Sequence, residues 1–453
     1  MSVLKNINNI IVCGLCILLL SGCKKYLDAK SDKSLVTPSS LADLQSILDY
    51  YFWVNQRDPG AGLLSSEDYY LSQSDFDGLG SLYNQNLYIW NPSNLFASGT
   101  NDWSRAYDNV YRANTILENI SSIPIDTENN VEWNNVYGQA LFLRAKAFFQ
   151  IAVIWAKVFD SSTASTDLGI PLRLKSDFNE ISTRSTLQET YDQIIADAKS
   201  ATEKLPDIPL HVLRSSKMAS NGLLARIYLS LGNYDSCLYY CQAALAIKSE
   251  LLDYNELSQT ATYPIANFNK EVMYGAQITS SYSVTSKQVD SSLYKSYDDN
   301  DLRKAIFFRS KGNGSYSFKG GYTGSSTPFS GIATDEMYLM RAECNARLNQ
   351  LQKSMDDLNN LLSKRWKTGT FIPYNNLSKD TLLYIILLER RKELLFRDIR
   401  WLDIKRLNRN GDNIILTRFI NDKLYSLSAN DLRYALAIPE DVIQLSGMPQ
   451  NPR

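Results

Sequence analysis

Histidine is almost absent from this sequence, and its scarcity excludes several kinds of chemistry. His211 is the only histidine in 453 residues, whereas a zinc-protease motif needs two histidines one helical turn apart. A Ser-His-Asp triad lacks support as well, because the sequence contains no GxSxG nucleophile elbow. No glycine is followed by lysine, so there is no P-loop.

An excess of charge of either sign is also missing. The chain has 47 Lys and Arg against 48 Asp and Glu, which gives a formal net charge of −1. No basic stripe runs along any segment, and a basic stripe is the electrostatic mark of a nucleic-acid-binding surface. We therefore expect no nucleic-acid partner.

Cysteine is scarce too, with six in the whole chain, three of them before residue 24. In the rest of the chain only Cys237, Cys241 and Cys344 remain. Cys237 and Cys241 are four residues apart on a predicted helix, a spacing that suits either a metal site or a pair of small buried residues. Since His211 is not near them in sequence, we predict core packing and no metal. No disulfide framework is evident, and a chain of this length does not need one.

The N-terminus carries the first positive signal, in the stretch ILLLSGCKK at residues 17–25. The apolar run from Ile10 to Leu20 has 11 residues, which fits a secretory h-region, whereas a membrane-spanning helix needs about 20. Leu20-Ser21-Gly22-Cys23 is similar to a bacterial lipobox. The alternative is an ordinary signal peptide with a cysteine near its cleavage site. We predict that residues 1–22 are a lipoprotein signal peptide and that Cys23 is lipidated, which leaves 23–453 as the body.

The body has mainly helical signals. A helix is predicted over Thr37–Val54, with Leu41, Leu44, Leu48 and Tyr51 on its inner face. Residues 139–159 are apolar nearly all round, but Arg144 and Lys146 interrupt them, and a charge in mid-membrane costs about 2.5 kcal/mol or more. This pattern predicts a buried helix instead of a membrane span. A further helix is predicted from Leu187, with Pro206 beyond its end.

Two helix pairs follow the pattern of tetratricopeptide units. Residues 218–248 contain two helical segments joined by Leu231-Gly232-Asn233-Tyr234, and residues 335–363 repeat the pattern with Leu348-Asn349 at the turn. Small residues allow the paired helices to approach each other, and the glycine allows the chain to reverse. The fold class predicted is all-α, a tetratricopeptide-like helical repeat scaffold with long loop insertions.

The predicted insertions are residues 56–100 and 253–331, which lose helical periodicity and mix aromatic residues with Gly, Asn, Asp and Ser. Long structured loops in a compact protein are usually functional. The chain has 28 Tyr against 16 Phe, and tyrosine joins an apolar ring to a polar tip, which suits wet binding surfaces.

A search of the sequence for catalytic residues finds little. Asp75 and Asp77 are among several close carboxylates, and two carboxylates across a sugar are what a glycosidase needs. Asp75-x-Asp77-Gly78 resembles the start of a calcium loop, but the later ligands of an EF-hand are missing. We predict no catalytic residue, no metal and no cofactor.

Several stretches in this order resemble the SusD/RagB family of nutrient-capturing surface lipoproteins of Bacteroidetes. They are WSRAYDNVYRANTILENI at 103–120, GQALFLRAKAFFQIAVIWAKVFD at 138–160 followed by GIPL, ERRKELLFRDIRWLDIKRLNR at 389–409, and LAIPEDVIQLSGMPQNPR at 436–453. One departure is Arg397-Asp398, where many members carry Glu-Gly. Another is that no strongly acidic run follows Cys23.

The resemblance implies an all-helical body, no enzymatic activity, and a ligand that is a glycan or, in a minority of members, a peptide. It also implies a lid-like role on a TonB-dependent, SusC-like outer-membrane barrel. The expected location is the outer membrane, through the lipid anchor and facing outward. Two alternatives stay open: a glycoside hydrolase lipoprotein, and a helical-repeat scaffold that binds only protein.

The C-terminal stretches have a physical reading of their own. Glu389, Arg390, Glu393 and the charges that follow them, up to Arg400, are predicted to lie on one helix with opposite signs three or four residues apart. Leu394, Leu395, Trp401 and Leu402 can face the core. Both stretches are interpreted as structural and not as ligand sites.

We place the ligand site on the two loop insertions. Sugar rings stack their C–H faces on aromatic planes, and their hydroxyl groups need neighbouring donors and acceptors. The aromatic helical stripe of Trp103, Tyr107 and Tyr111 is excluded, because its spacing indicates core. The predicted ligand-binding residues are Asp68, Tyr69, Tyr70, Trp90, Asn91, Asn94, Tyr316 and Tyr322.

Overall fold

The computed structural model describes residues 38–278 and 283–453. Cys23 and the predicted signal peptide lie outside the described residues. Helices make up 48% of the structure and strands 8%, which confirms the predicted helical fold class. Leu41–Arg453 form one compact unit.

The described part of the chain contains 17 α-helices. In chain order they are α1 (Leu41–Leu48), α2 (Tyr51–Val54), α3 (Ala61–Ser65), α4 (Gln73–Asp77), α5 (Leu82–Tyr88), α6 (Asp102–Ile120), α7 (Asn130–Trp155), α8 (Leu187–Lys204), α9 (Lys217–Leu231), α10 (Tyr234–Ile247), α11 (Ser291–Lys295), α12 (Arg303–Phe307), α13 (Thr334–Arg347), α14 (Leu351–Ser363), α15 (Lys379–Glu393), α16 (Arg400–Arg409) and α17 (Glu440–Ser446).

Strands in the described residues are short and pair only two at a time. They are β1 (Tyr69–Tyr70), β2 (Val272–Tyr274), β3 (Gln288–Val289), β4 (Phe308–Ser310), β5 (Tyr316–Phe318), β6 (Ile332–Ala333), β7 (Leu416–Ile420) and β8 (Lys423–Leu427). The antiparallel pairs are β1–β3, β2–β6, β4–β5 and β7–β8. The β1–β3 pair joins the two predicted insertions to each other.

The two predicted helix pairs are confirmed as α9–α10 and α13–α14, and α10 packs against α13. Gly232 ends α9 with φ 77°, a left-handed conformation that glycine adopts without steric cost. Asn233 then accepts a hydrogen bond from the Ser236 amide and caps α10. In the second pair Asn349 takes the glycine's role, with φ 61°.

The prediction of a buried helix over 139–159 is confirmed for residues 139–155, which belong to the 26-residue α7, whereas 156–159 lie beyond its end. The two charges of residues 139–155 are paired inside the protein: Arg144 Nε lies 2.7 Å from Asp197, and Lys146 Nζ lies 2.5 Å from Asp58. Buried charges need such partners. None of the described helices combines the length and the hydropathy needed to cross a membrane.

The first predicted helix is broken. Its three leucines are buried as predicted, but α1 ends at Leu48 and a new helical turn begins at Tyr51. Tyr50 between them has ψ 66°, outside the helical range. Tyr51 was expected on the inner face and is instead 50% exposed, because the break turns its side chain away from the α1 stripe. Thr37, the predicted N-cap, lies outside the described residues.

The insertions contain more regular structure than predicted. Residues 56–100 hold α3, α4, α5 and β1. Residues 253–331 hold four strands, the short helices α11 and α12, and two 3-10 helices. Local capping explains part of the difference, since the Ser72 hydroxyl accepts a hydrogen bond from the Asp75 amide and starts α4. The prediction of plain loops is therefore wrong in part.

The predicted single helix over the charged stretch 389–400 is also wrong. Helix α15 ends at Glu393, and Phe396 and Asp398 have φ 56° and 57° before α16 begins at Arg400. Asp398 thus stands in a left-handed conformation, which glycine would adopt without strain.

Most charges of this stretch are buried and paired, and the predicted core residues beside them are buried as well. Arg303 binds Glu389 and Glu393, and Arg365 binds Glu393 on its other oxygen at 2.7 Å. Farther along, Arg406 binds Glu343 at 2.7 Å. These contacts join α12, α13, α15 and α16, in agreement with the structural role inferred from the sequence.

Candidate functional site

Four consecutive aromatic residues at the start of α2 form an exposed aromatic surface. They are Tyr50, Tyr51, Phe52 and Trp53, and we call them the aromatic platform. Successive residues of a helix point about 100° apart, so four in a row cannot all face one buried side. Tyr50, Tyr51 and Phe52 are 51%, 50% and 48% exposed.

A cleft lies on each side of the platform. The first has a volume of about 330 Å³ and includes Tyr51 and Phe268 in its wall, and the second has about 350 Å³ and includes Phe52 and Pro328. Gln56 and Gln277 line both clefts. The remaining polar side chains are Asn55, Asn267 and Thr323 in the first cleft, and Ser283, Thr285, Ser326 and Thr327 in the second.

Backbone hydrogen bonds hold the platform against the second insertion. The Gln277 amide donates to Asn55 O at 2.7 Å, and the Asp58 amide donates to Gln277 O at 3.2 Å. The Asn55 side chain donates to the carbonyls of Leu213 and Gly275. Residues distant in sequence therefore form one rigid support beneath the exposed rings.

Charge at the platform comes from arginine. The Arg57 guanidinium carbon lies 3.9 Å from the Trp53 ring centroid, and that of Arg112 lies 5.4 Å from it. The nearby carboxylate of Asp58 is fully buried, where it binds Lys146 and the Ser330 hydroxyl. Asp58 thus serves the fold. The groups left at the surface are aromatic rings, amides, hydroxyls, the guanidinium of Arg57 and the ion pair of Arg112 with Asp108.

This combination suits recognition of a polar ligand with flat apolar faces. Exposed rings supply stacking surfaces, and amides and hydroxyls supply both donors and acceptors. Among the described residues there is no group of three or more His, Cys, Asp or Glu arranged to hold a metal ion. Cys237 and Cys241 are fully buried with their Sγ atoms 4.0 Å apart, and burial raises the pKa of both thiols, as core packing predicts.

Two family models together match most of the chain. Residues 25–229 match a model described as "Starch-binding associating with outer membrane", and residues 256–441 match one described as "SusD family". The chain belongs to the SusD/RagB family. A curated relative, SusD-like protein P2 of Formosa agariphila, is 26% identical over 418 residues, covering 77% of this chain and 79% of the relative.

Solved structures share the SusD fold. A SusD superfamily protein from Bacteroides thetaiotaomicron matches with a TM-score of 0.72 at 21% identity, over 91% of this chain and 100% of the other. A laminarin-binding SusD-like protein matches with a TM-score of 0.64 at 18% identity, over 91% of this chain and 98% of the other.

Within this SusD-like body, Tyr69 and Trp90 of the predicted site lie in the interior, 2% and 1% exposed. The structure brings them together, but around Arg418, whose guanidinium carbon lies 5.4 Å and 4.5 Å from their ring centroids. Tyr69 Oη donates to Leu64 O and Trp90 Nε1 donates to Ser65 O. Neither ring has surface to offer a ligand, so their selection as contact residues is corrected here.

Tyr322 and Asp68 are buried as well, 2% and 1% exposed. The Tyr322 hydroxyl donates to Glu271 and lies 3.0 Å from Asp335, and both of these carboxylates are buried in the interior. Asp68 lies 3.6 Å from Arg391, and burial raises the pKa of its carboxyl to about 6. The prediction that Tyr322 and Asp68 bind the ligand is therefore wrong, because their polar atoms face protein groups in the interior.

The other four predicted residues keep exposed surface and stay predictions. Tyr70 points outward beside the buried Tyr69, as alternation along an extended segment requires, and is 37% exposed. Asn91 and Tyr316 are half-buried, and Asn94 is exposed. The Tyr316 ring stacks on Tyr294 with centroids 3.6 Å apart.

The aromatic stripe excluded from the site is only partly core. Trp103 is buried, but Tyr111 is 37% exposed and stacks near Phe178 at 4.7 Å. Together with Tyr107 they line a separate cleft of about 240 Å³. Helical spacing does not predict burial correctly at Tyr111, because Tyr111 lies at the edge of the aromatic stripe, where α6 faces solvent.

The predicted ligand site does not include the platform, because Tyr51 has the same helical spacing as the leucines of α1 and was therefore assigned to the core. The signal was available in the sequence YYFW at 50–53. Four adjacent aromatic residues fit neither a helical stripe nor an alternating strand, and so predict exposure of at least some rings.

Proposed function

We propose that this chain is a non-catalytic surface lipoprotein that captures a glycan, or an oligopeptide, on the aromatic platform. It passes the ligand to a TonB-dependent, SusC-like transporter of the outer membrane. A lipid on Cys23 holds it at that membrane, facing outward.

The observation that carries the proposal is the exposed aromatic platform with an amide-lined cleft on each side, in a chain of the SusD/RagB family. Three rings about half exposed form a larger apolar surface than single scattered residues do, and such patches indicate binding. The starch-binding description of the matched family model and the laminarin-binding neighbour favour a glycan over a peptide.

The binding test uses the purified body, residues 24–453, against a panel of glycans and casein-type peptides. We expect Trp53→Ala and Phe52→Ala to weaken binding of the ligand so identified by about tenfold or more, which is 1.4 kcal/mol or more. The matched control is Tyr239→Ala on α10, since Tyr239 is 65% exposed outside the platform. Wild-type affinity in both platform variants would place the site elsewhere.

The same panel separates the alternatives. Turnover of a glycan by the purified protein would support a glycoside hydrolase. Binding to the transporter with no soluble ligand bound would support a protein-only scaffold.

The membrane attachment has its own test. Mass spectrometry of the mature protein is expected to find lipid on Cys23 and no residues 1–22, and Cys23→Ala is expected to release the protein from the membrane. Purification in mild detergent is expected to recover a large β-barrel partner. An abundant lipoprotein without that partner would contradict the transporter role.

A further inference from the structure

The Arg57 guanidinium is a cation at the edge of the aromatic platform that has no bound carboxylate. Its carbon lies 3.9 Å from the Trp53 ring centroid and 5.5 Å from that of Phe52. Within residues 38–278 and 283–453 its nitrogens make no hydrogen bond and no ion pair. A guanidinium that stacks through its face keeps its N–H groups, which point outward in its plane, available.

The neighbouring arginines do have partners. Arg105 lies 3.0 Å from Asp102, and Arg112 lies 2.9 Å from Asp108. The positive charges of Arg105 and Arg112 are neutralised by these aspartates, whereas the positive charge of Arg57 beside Trp53 is not.

Partial burial and the charges of Arg105 and Arg112 lower the pKa of Arg57, while Asp108 opposes them. Burial is the largest of these causes, because it disfavours the charged form of the guanidinium. An anion bound at Arg57 would pair with its uncompensated charge, whereas a neutral ligand would not.

We infer that the ligand is an acidic glycan, whose carboxylate or sulfate group binds the edge of Arg57 while its ring stacks on the platform. Guanidinium and carboxylate groups match in geometry and form strong, often paired, hydrogen bonds. The stacking on Trp53 holds the guanidinium in place before the ligand arrives, which reduces the entropy lost on binding. The inference rests on the proposed function and narrows its glycan class.

The cleft linings favour a glycan over an acidic peptide. Gln56 and Gln277 line both clefts, and an amide side chain carries both donor and acceptor groups, which is what the hydroxyl groups of a sugar require. A peptide taken up in extended form would instead need a free strand edge for its backbone. The acidic peptide is kept as an outcome of the test.

The experiment follows the fluorine resonance of Trp53 in protein labelled with 5-fluorotryptophan. The chain has seven tryptophans, and Trp53→Phe assigns the signal. The paired probes are pentagalacturonate with its full methyl ester, and sulfated with unsulfated dextran oligosaccharides. Pentaglutamate tests the peptide class, and the neutral glycans of the panel are titrated in parallel.

We expect an acidic oligosaccharide to shift the Trp53 resonance and its neutral partner not to. Arg57→Gln should weaken that binding about tenfold or more, as loss of a charge-assisted hydrogen-bond pair does. The matched control Arg309→Gln, which removes an exposed arginine from β4, should leave the affinity within about twofold.

Three results would overturn the inference: equal binding of the neutral partner with no effect of Arg57→Gln, a response to pentaglutamate alone, or no response to any acidic probe. A neutral glycan that shifts the Trp53 resonance would keep the proposed function while rejecting the acidic class. No response to any glycan, charged or neutral, would reject both.

Discussion

Arg418 and Arg57 both lie over tryptophan rings, the first in the interior and the second at the surface. Arg418 is 5% exposed, with its guanidinium carbon 4.5 Å from the Trp90 centroid, and it donates to the carbonyls of Tyr88, Leu64 and Ser66. Arg57 is half-buried over Trp53 and makes no hydrogen bond within the described residues. In both places a guanidinium group contacts a tryptophan ring, but only Arg418 donates hydrogen bonds to protein acceptors.

This difference separates a structural cluster from a binding surface. A buried guanidinium must place its donors on protein acceptors, because leaving them unpaired in the interior is costly. A guanidinium at the surface can leave them to water and exchange water for a ligand. Trp90 was chosen from the sequence and Trp53 was not, although only Trp53 belongs to an exposed surface.

The largest expected effect is on the interior cluster. Arg418→Met should lower the free energy of unfolding by about 3 kcal/mol or more. The buried carbonyls of Tyr88 and Ser66 lose their donor, at about 1–3 kcal/mol each, and the cation–π contacts with buried rings are lost as well. Urea denaturation monitored by tryptophan fluorescence measures it. A loss of unfolding free energy below about 1 kcal/mol would mean that the hydrogen bonds of Arg418 do not stabilise the interior cluster.

A second paired arginine, Arg406, extends the comparison to pH. It donates to both oxygens of Glu343 at 2.7 and 2.9 Å, and Arg347 donates to one of them at 2.9 Å. Burial alone would raise the pKa of Glu343, but Arg406 and Arg347 outweigh it and lower the pKa from 4.5 to about 2. The unfolded chain therefore binds a proton more readily than the folded protein as the pH falls.

Stability that Glu343 provides is therefore complete above about pH 4.5 and is lost toward pH 2. The expected loss is roughly 3 kcal/mol, at 1.36 kcal/mol for each unit of pKa difference. Unfolding free energies measured from pH 6 to pH 2 test it, with Glu343→Gln as the control that lacks this titration. Parallel curves for the two proteins would contradict the prediction.

A smaller effect is expected at Tyr70, the outward ring of β1. Tyr70→Ala should weaken binding of the identified ligand by about 1 kcal/mol, as loss of a contacting aromatic side chain does. Titration calorimetry measures it, again with Tyr239→Ala as the control. Unchanged affinity in Tyr70→Ala, together with a loss in Trp53→Ala, would restrict the site to the platform.

The smallest expected effect is that of Arg57 on stability. Arg57→Met should change the free energy of unfolding by less than about 1 kcal/mol, because an exposed cation–π contact contributes about 0.5–1 kcal/mol. Denaturation under the conditions used for Arg418→Met gives the direct comparison. Equal losses of unfolding free energy in the two variants would mean that Arg57 also stabilises the fold.

Much of the helical body was predictable because its signals are local. Thr186 and Glu189 form a capping box that starts α8, and Gly232 ends α9 in a left-handed turn. Apolar spacing at three and four residues selected the buried faces of these helices. Such features depend on residues within one or two turns, which the sequence displays directly.

The break between α15 and α16 was not predictable in this way. Residues 389–400 carry good helix formers and favourable charge spacing, and yet Phe396 and Asp398 are left-handed. The long-range ion pairs of Glu389 and Glu393 with Arg303 hold the end of α15 in place. Tertiary contacts thus override a local preference of a few tenths of a kcal/mol per pair.

The sequence alone therefore determined the helical class, the repeat pairs and the resemblance to the SusD/RagB family, all of which rest on periodicity and motif order. It did not determine which aromatic residues are exposed. Trp90 is buried because Arg418, from a strand some 330 residues beyond Tyr88, folds over it. Trp53 is contacted by Arg57, four residues away, and is only half-buried. Burial depends on what the distant chain brings to a side chain, and only the tertiary structure decides that.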